Sequence, residues 1–347
     1  PNTKPVNDNQ SVTNYILNKV KEEGHCRVFP IASISKGLQG ESMTEMGELK
    51  DLGVYGVSDD GKPVSNAQLM RRAMEYAKPF GITIVTHAED LELVGSGVMN
   101  EGPVSTELGL KGIPWVAEDA ATAREIMLAE FTGAHLHVAH VSTKGSIDLV
   151  RQAKKRGVNV TCEVTPHHFT LTDEAVRGYN TNAKMNPPLR SAEDREAVRQ
   201  GIADETVDAI ATDHAPHSAV EKDLEFELSA CGMLGLESAF SVLMGLVRDG
   251  KISEGRLLAL LGCHGLGVFE FSQPCECGHP YGTRTVSLHH PCAGVPVRQI
   301  EGAASQAVVT GSLCPFCVGQ RLTSIPHQLQ IQAGEGGQGT HVDHGYL

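Results

Sequence analysis

Short apolar segments that end in polar residues alternate with amphipathic helical segments along most of this chain, and this alternation restricts its fold most strongly. We predict a strand in each of six such segments: 27–34, 53–60, 82–90, 136–142, 159–168 and 207–217. The spacing of apolar residues predicts helices at 66–80, 119–133, 143–157, 192–203 and 236–250. Strands that alternate with helices favour a parallel sheet with helical crossovers.

The number of predicted strands indicates the architecture. Six strands are too many for a small open sheet and suit an α/β fold of the (β/α)8 TIM-barrel type, which needs eight strands. We therefore expect an incomplete barrel that is two strands short. The pattern itself leaves open at which end of the chain the missing strands would lie.

Composition changes sharply near residue 261. The segment 262–347 holds only three of the 29 Lys and Arg residues and five of the 42 Asp and Glu residues, but six of the nine cysteines. It has no sustained helical or strand periodicity. We predict a partial barrel over 1–261 and an irregular, low-charge tail over 262–347 that is not a native domain but a foreign or frame-shifted sequence.

The tail contains cysteine pairs that resemble half-sites of a zinc ribbon. They are Cys275 and Cys277 with His279, and Cys314 with Cys317. The long separation between the two pairs favours the frame-shift interpretation over a structural zinc site.

Charge and cysteine usage restrict the partners and the compartment. The net charge of −13 argues against a nucleic-acid or anionic-membrane partner, and no apolar run is long enough to span a membrane. The polar start of the sequence shows no signal peptide. Only Cys26, Cys162 and Cys231 lie before residue 262, as expected of a reduced cytoplasmic protein.

Histidine and aspartate residues follow most of the predicted strands. Chemistry in a TIM barrel lies at the C-terminal ends of the strands, where these side chains would converge. The residues are Asp59, Asp60, His87, His140, His167, His168, Asp213 and His214. Imidazole and carboxylate groups are ligands of zinc and related divalent metals. Asp213 directly follows an apolar strand and could both bind a metal and shuttle a proton.

Several neighbouring residues have simpler interpretations. Strand alternation places His137 opposite to His140, so we expect His137 to face the helices. His167 and His168 are adjacent, so at most one of them can face the barrel mouth, and His214 should point away from Asp213. Glu89 and Asp90 could support ligands or be ordinary loop charges. Asn186 precedes two prolines, is held extended, and can offer an amide to a ligand.

A set of sequence blocks, in order, resembles bacterial dihydroorotases of the long, class I type. The blocks are PNTKPVND, VSDDG, THAED, HVAHVST, TCEVTPHHFTLTDE, TNAKMNPPLR, DAIATDHAPH and GMLGLESAF. The resemblance covers residues 1–261. It implies a zinc-dependent cyclic amidohydrolase that interconverts dihydroorotate and N-carbamoyl-aspartate in pyrimidine biosynthesis.

The resemblance also implies a role for individual residues. Asp60 would bridge two zinc ions, His87 and His140 would bind the second of them, and Asp213 would be both a ligand and the general acid/base. The implied substrate-binding residues are Asn2, Asn186, His217, Cys231 and Gly232.

The sequence departs from the family pattern at both ends of the barrel. The family's first-metal His-x-His-x-Arg motif does not occur, which implies that the first strand and most of the second are missing. We therefore expect weak or absent catalysis unless that segment is supplied. Alternatives are an inactive dihydroorotase-like subunit, or a gene fragment. The family also implies a homodimer or a complex with aspartate transcarbamoylase.

A related class of hydrolases offers a further alternative. The dihydropyrimidinase- and allantoinase-like enzymes use a carboxylated lysine as their metal bridge. The predicted strand at 53–60 carries Asp60 and no lysine, which favours the dihydroorotases.

Overall fold

The fold is built on a parallel sheet of five short strands. The computed structural model describes residues 1–264 and 267–268. The strands of the main sheet are β1 (Gly56–Val57), β2 (Thr83–Thr86), β5 (Leu136–Val138), β6 (Val160–Val164) and β7 (Ala209–Ile210), in the spatial order β1-β2-β5-β6-β7. Two separate pairs consist of β3 (Met99–Asn100) with β4 (Gly112–Ile113), and of β8 (Cys263–His264) with β9 (Gly267–Val268).

The register of the main sheet aligns the C-terminal ends of its strands. Ile84 pairs with Leu136, Leu136 with Val160, and Val164 with Ile210. Ala32 adds a single parallel bridge to Val57 beyond β1. Because all five strands run in the same direction, the residues that follow them emerge at one edge of the sheet.

Helices alternate with the strands along the chain. They are α1 (Gln10–Glu23), α2 (Met46–Asp51), α3 (Ala67–Ala77), α4 (Leu91–Val94), α5 (Pro103–Leu108), α6 (Val116–Thr132), α7 (Lys144–Lys155), α8 (Pro166–Thr170), α9 (Ala192–Ala203), α10 (Ala219–Lys222), α11 (Ala239–Arg248) and α12 (Glu254–Gly262). Short 3-10 turns occur at Lys36–Leu38, Lys78–Phe80, Asp173–Val176 and Thr181–Ala183.

Polar side chains fix where the crossover helices begin. Asn66 accepts hydrogen bonds from the first backbone N–H groups of α3, and Thr143 does the same for α7. Ser191 and Asp194 form a reciprocal capping pair at the start of α9. Such caps satisfy N–H groups that have no partner inside the helix.

The two faces of the sheet have opposite chemistry. Val57, Ile84, Leu136, Val138, Cys162 and Ile210 are buried in one apolar core with residues of the crossover helices, among them Met70, Met74, Ile126, Ile147, Val150 and Ile202. The opposite face is polar. On it, His135 contacts Thr83 and Thr161, and His137 contacts Thr161 and Glu163.

The structure confirms the α/β class with a parallel sheet and helical crossovers. Five of the six predicted strands form, although they are shorter than predicted, and the segment 27–34 contributes only the bridge at Ala32. The five predicted helices form as α3, α6, α7, α9 and α11. Within the described residues the sheet does not close into a barrel, in agreement with the expectation of an incomplete one.

One expectation about side-chain direction was wrong, and one strand ends earlier than predicted. His137 does not face the helices: it lies beside Thr161 and Glu163 on the polar face, whereas its neighbours Leu136 and Val138 are in the core. Strand β6 ends at Val164, and His167 and His168 lie in α8, where both are buried. Strand β5 ends at Val138, before His140, so strand alternation does not relate the direction of His137 to that of His140. That at most one of His167 and His168 faces the barrel mouth stays a prediction.

The region after residue 264 is mostly outside the described residues. This includes the zinc-ribbon-like cysteines Cys275, Cys277, Cys314 and Cys317, so the boundary at residue 261 stays a prediction. Among residues 1–264 and 267–268, none of the helices combines the length and the apolar composition that a membrane crossing requires.

Candidate metal centre

Asp60, His87 and His140 converge just beyond the C-terminal ends of β1, β2 and β5, which are neighbouring strands. His87 Nδ1 lies 2.9 Å from His140 Nε2. Asp60 Oδ1 lies 3.4 Å from His87 Nδ1 and 3.5 Å from His140 Nε2. Two imidazole nitrogens and one carboxylate oxygen therefore form a small triangle.

The dimensions of this triangle fit one shared metal ion. Ligand atoms about 2.0–2.1 Å from a tetrahedral zinc ion are about 3.3 Å apart from one another. All three sides of the triangle are close to that length. Both histidines are buried, and the donor set of two imidazoles and a carboxylate is typical of zinc and similar divalent metals.

The backbone at the strand ends aims these side chains. His140 and Asp213 are non-glycine residues with φ of +36° and +43°. The left-handed region is unfavourable for residues with a Cβ and is found preferentially at functional sites. Regular strand alternation would place His137 and His140 on opposite faces of the sheet. The turn at His140 breaks this alternation, so the His140 imidazole reaches the triangle while His137 lies on the polar face.

Electrostatics within the triangle favour a charged carboxylate beside protonated imidazole in the absence of a metal. Burial works against ionisation of Asp60, but hydrogen bonds and charge from His140 and His87 outweigh it and lower the pKa of Asp60. Burial would lower the pKa of His87, but its contacts with Asp60 and Glu89 raise it. A cation in place of these protons would be stabilised by the same carboxylates.

Asp213 lies near the triangle but outside it. The cluster of three residues whose ligand atoms lie within 4.8 Å of one another does not include Asp213. Burial raises the pKa of Asp213. The positive charges of His140 and His87 lower this pKa, and the negative charges of Asp60 and Glu163 raise it further. These charges place Asp213 within electrostatic range of the ligands, and its role as a ligand stays a prediction.

Two of the expected substrate-binding residues lie beside the triangle. Asn2 Nδ2 donates to Asp60 Oδ2 at 3.3 Å. Asn186 Nδ2 donates to Glu89 Oε2 at 3.2 Å, and the oxygen Oδ1 of Asn186 is buried without a hydrogen-bond partner. An acceptor of this kind next to a metal centre is available to a ligand N–H group.

The other three expected substrate-binding residues contact one another. His217 Nε2 donates to the carbonyl oxygen of Cys231 at 2.8 Å, and Gly232 N donates to the carbonyl oxygen of Lys184 at 3.0 Å. Gly232 has φ of +149°, and a Cβ there would lie 2.5 Å from the Ala215 oxygen, so the close approach requires glycine. These backbone groups are engaged within the protein.

Buried charges that the sequence analysis did not identify hold the surrounding loops. The ammonium of Lys184 donates to the carbonyl oxygens of Phe226, Glu227 and Ser229. Glu118 on α6 accepts hydrogen bonds from the backbone N–H groups of Ser142 and Thr143, two and three residues after His140. Charged residues in polar segments carry no sequence signal that distinguishes burial from exposure.

His214 Nδ1 accepts hydrogen bonds from the backbone N–H groups of Gly235 and Leu236 and supports that loop. That His214 points away from Asp213 stays a prediction. Glu89 and Asp90 separate into the two roles considered for them. Glu89 contacts His87, whereas Asp90 caps α4.

Known proteins resemble this chain in sequence and in fold. Residues 1–146 match the family model described as Dihydro-orotase-like. The chain is 62% identical over 264 residues to a dihydroorotase of Geobacter sp. (strain M21), covering 76% of this chain and 62% of the relative. It is 57% identical over 261 residues to the dihydroorotase of Syntrophotalea carbinolica, covering 75% and 61% of the two chains. The chain thus spans slightly less than two thirds of the length of these relatives.

Solved structures that resemble this fold include hydantoinases. L-hydantoinase (dihydropyrimidinase) from Arthrobacter aurescens matches with a TM-score of 0.63 and 22% identity over 75% of this chain and 60% of that one. D-hydantoinase (dihydropyrimidinase) from Thermus sp. matches with a TM-score of 0.60 and 24% identity over 74% and 60%.

The fold and the ligand triangle together define the described residues as part of an incomplete TIM barrel with a candidate metal site at its strand ends. A parallel sheet whose strand ends present histidine and aspartate is the common feature. Within this fold class, the chain is similar in sequence to the bacterial dihydroorotases.

Proposed function

We propose that this chain contributes a dihydroorotase active site, which hydrolyses (S)-dihydroorotate reversibly to N-carbamoyl-L-aspartate in pyrimidine biosynthesis. The observation that carries the proposal is the Asp60, His87 and His140 triangle at the ends of three adjacent strands. It occurs in a chain that is 62% identical to a named dihydroorotase over 264 residues.

The proposed cofactor is zinc, held by Asp60, His87 and His140. When bound, the metal would acidify a water molecule and polarise the carbonyl group of the substrate ring. Two zinc ions per complete site follow from the family resemblance, which places the first ion on a His-x-His pair that this sequence does not contain. The residues described here therefore account for the second ion.

Asp213 is the proposed general acid/base. Its carboxylate would take the proton from the attacking water and deliver it to the ring nitrogen as the C–N bond breaks. Burial raises the pKa of Asp213, which favours a carboxyl group that can both accept and return a proton. Ring closure in the opposite direction uses the same group in reverse order.

The proposed substrate contacts are made by Asn2, Asn186, His217, Cys231 and Gly232. The buried Oδ1 of Asn186 can accept a ring N–H, and Asn2 lies against Asp60 at the mouth. His217 and the backbone of Cys231 and Gly232 already contact protein groups, so these contacts must exchange when a substrate binds.

A dihydropyrimidinase-like hydrolase is the second candidate, because the similar solved structures are hydantoinases. The triangle opposes this candidate through the residue at the end of β1. A carboxylate, Asp60, contacts both histidines there, where the alternative requires a carboxylated lysine.

Metal content and substrate hydrolysis test the proposal together. The chain is loaded with Zn²⁺ and assayed with dihydroorotate and with hydantoin, alone and mixed with an N-terminal segment of a dihydroorotase that carries the His-x-His-x-Arg motif. We expect zinc binding by the chain alone, and hydrolysis of dihydroorotate in preference to hydantoin in the mixture. Asp213→Ala should abolish turnover and leave zinc in place, whereas Asp60→Ala should remove the zinc.

The possible outcomes separate the alternatives. Preference for hydantoin would favour the dihydropyrimidinase-like function. Zinc binding without turnover in the mixture would favour an inactive subunit, and the absence of zinc with poor folding would favour a gene fragment.

The proposed setting is the cytoplasm, with a small-molecule substrate. Cys26, Cys162 and Cys231 are free thiols, as in reducing compartments. A homodimer or a complex with aspartate transcarbamoylase is also proposed from the resemblance. Light scattering of the purified chain, with and without that partner, tests both assemblies.

A further inference from the structure

Glu89 contacts a proposed metal ligand and a proposed substrate contact at the same time. Its Oε2 lies 3.2 Å from His87 Nε2 and 3.2 Å from Asn186 Nδ2. The Glu89 residue is more than nine-tenths buried, at 8% exposure. A carboxylate held between two such groups, away from solvent, can constrain the orientation of both.

The contact with Glu89 determines which nitrogen of His87 is free for a metal. A carboxylate only accepts hydrogen bonds, so Nε2 must carry a proton and donate it to Glu89. Nδ1, which faces Asp60 and His140, is then the nitrogen that gives up its proton and offers a lone pair when a metal binds. Carboxylates that receive the outer N–H of a metal-binding histidine orient the ring and increase its basicity.

The same carboxylate determines the orientation of the Asn186 amide. The NH₂ group of Asn186 points to Glu89, so the oxygen Oδ1 points away from it and is buried without a partner. The contact between Asn186 Nδ2 and His87 Nε2, at 3.4 Å, joins two donors and contributes no hydrogen bond of its own. A rotated amide would bring Oδ1 against the carboxylate, which is repulsive.

We propose that Glu89 is a positioning residue that aims Nδ1 of His87 at the metal and Oδ1 of Asn186 at the substrate. This inference rests on the proposed function, because it assumes that the triangle holds a metal ion. Glu89 itself touches neither the metal nor the substrate. Its effect is to couple the geometry of the metal ligand to the orientation of the substrate contact.

Zinc affinity of the full chain tests the first part of the inference. The dissociation constant for Zn²⁺ is measured by competition with a chromophoric chelator for the wild type, Glu89→Ala and Glu89→Gln. We expect Glu89→Ala to weaken binding by about 10- to 100-fold, the usual effect of losing such a partner. Glu89→Gln retains an acceptor oxygen without the charge, so its zinc affinity should lie between those of the wild type and Glu89→Ala. The absorption spectrum of the Co²⁺-loaded protein should change in Glu89→Ala, because the His87 ring is released.

Asp90→Ala is the matched control. It removes one negative charge from the next residue, which caps α4 and does not contact His87. We expect wild-type zinc affinity and an unchanged Co²⁺ spectrum. If Glu89→Ala does not fold in its metal-free form, the zinc affinity of Glu89→Gln is compared with that of the wild type and of Asp90→Ala instead.

Binding of dihydroorotate to the zinc-saturated chain tests the second part. Asn186→Ala and Glu89→Ala should each weaken binding by about tenfold, the cost of about one hydrogen bond between neutral groups. Only Glu89→Ala should also weaken zinc binding.

Two contrary results have different meanings. If Glu89→Ala and Glu89→Gln bind zinc as the wild type does while His87→Ala does not, Glu89 does not position the ligand and the proposed function stands. If the wild type takes up no zinc, the proposed function and the inference both fail.

Discussion

Adjacent acidic residues take different roles at the strand ends of this fold. Asp59 turns inward and accepts hydrogen bonds from the backbone N–H groups of Ile34 and Ser35, which ties β1 to the preceding segment. Asp60, the next residue, faces His87 and His140. Glu89 and Asp90 divide in the same way between a histidine partner and a helix cap. Pairs of this kind look equivalent in sequence, and only their contacts separate them.

His168 makes the stability of the fold sensitive to acid. Burial lowers the pKa of His168 to about 3, so it stays neutral in the folded protein. The unfolded chain, with a histidine pKa near 6.5, binds a proton more readily, so stability falls as the pH drops from about 6.5 towards 3. The free energy of unfolding that this residue removes is at most about 1.4 kcal/mol for each unit that the pH drops.

We expect His168→Gln to reduce this pH dependence. Urea unfolding at pH 7.5 and at pH 4.5 should show a smaller loss of free energy of unfolding in the variant than in the wild type. The variant should also be less stable at pH 7.5, because His168 contacts Thr165 and the Pro187 carbonyl. His25→Gln, at an exposed position, is the control. An identical acid response in His168→Gln and the wild type would contradict the prediction.

At the level of elements, helix α6 holds the loop that carries His140. Glu118 accepts from the backbone N–H groups of Ser142 and Thr143 at 2.9 and 3.2 Å, and lies 3.7 Å from the buried guanidinium of Arg190. Arg190 in turn donates to Ser142 Oγ and to the Ile113 carbonyl oxygen in β4. The loop after β5 is therefore fixed from α6, from β4 and from the segment that follows Asn186.

Glu118→Ala should strongly destabilise the fold. It leaves Arg190 buried without its carboxylate partner, and the removal of one member of a buried ion pair costs about 3–5 kcal/mol. Urea unfolding of the metal-free chain measures this loss. Glu193→Ala is the control, because Glu193 pairs with Lys144 at a position with 74% of its side chain exposed, and it should have little effect. Equal effects of the two substitutions would contradict the prediction.

For the whole molecule, the proposed metal links the strands β1, β2 and β5 and should therefore stabilise the folded state. A ligand that binds only the folded protein increases the free energy of unfolding by about 2.7 kcal/mol when its free concentration is 100 times its dissociation constant. We expect Zn²⁺ to raise the melting temperature of the chain and a chelator to reverse this. His140→Ala should remove the response. A zinc-induced increase that persists in His140→Ala would show that the ion binds elsewhere.

The order and type of the main elements could be predicted, because apolar periodicity follows directly from which faces are buried. The helices α3, α6, α7 and α9 lie where the spacing placed them, and the sheet has the predicted parallel crossovers. The early helices α1 and α2 and the pair β3–β4 were not predicted. They are short or mostly polar, and their positions depend on contacts with distant parts of the chain.

By itself, the sequence determined the α/β class and the residue types available for a metal site, since strand ends of a parallel sheet bring histidine and aspartate to one edge. Only the tertiary structure decided which of them meet: Asp60, His87 and His140 form the triangle, Asp213 lies outside it, and His137 belongs to the polar face. The physical reason is that side-chain direction after a strand depends on local backbone turns, such as the positive φ at His140. Partners such as Glu89 and Asn186 depend on contacts between segments that are far apart in sequence.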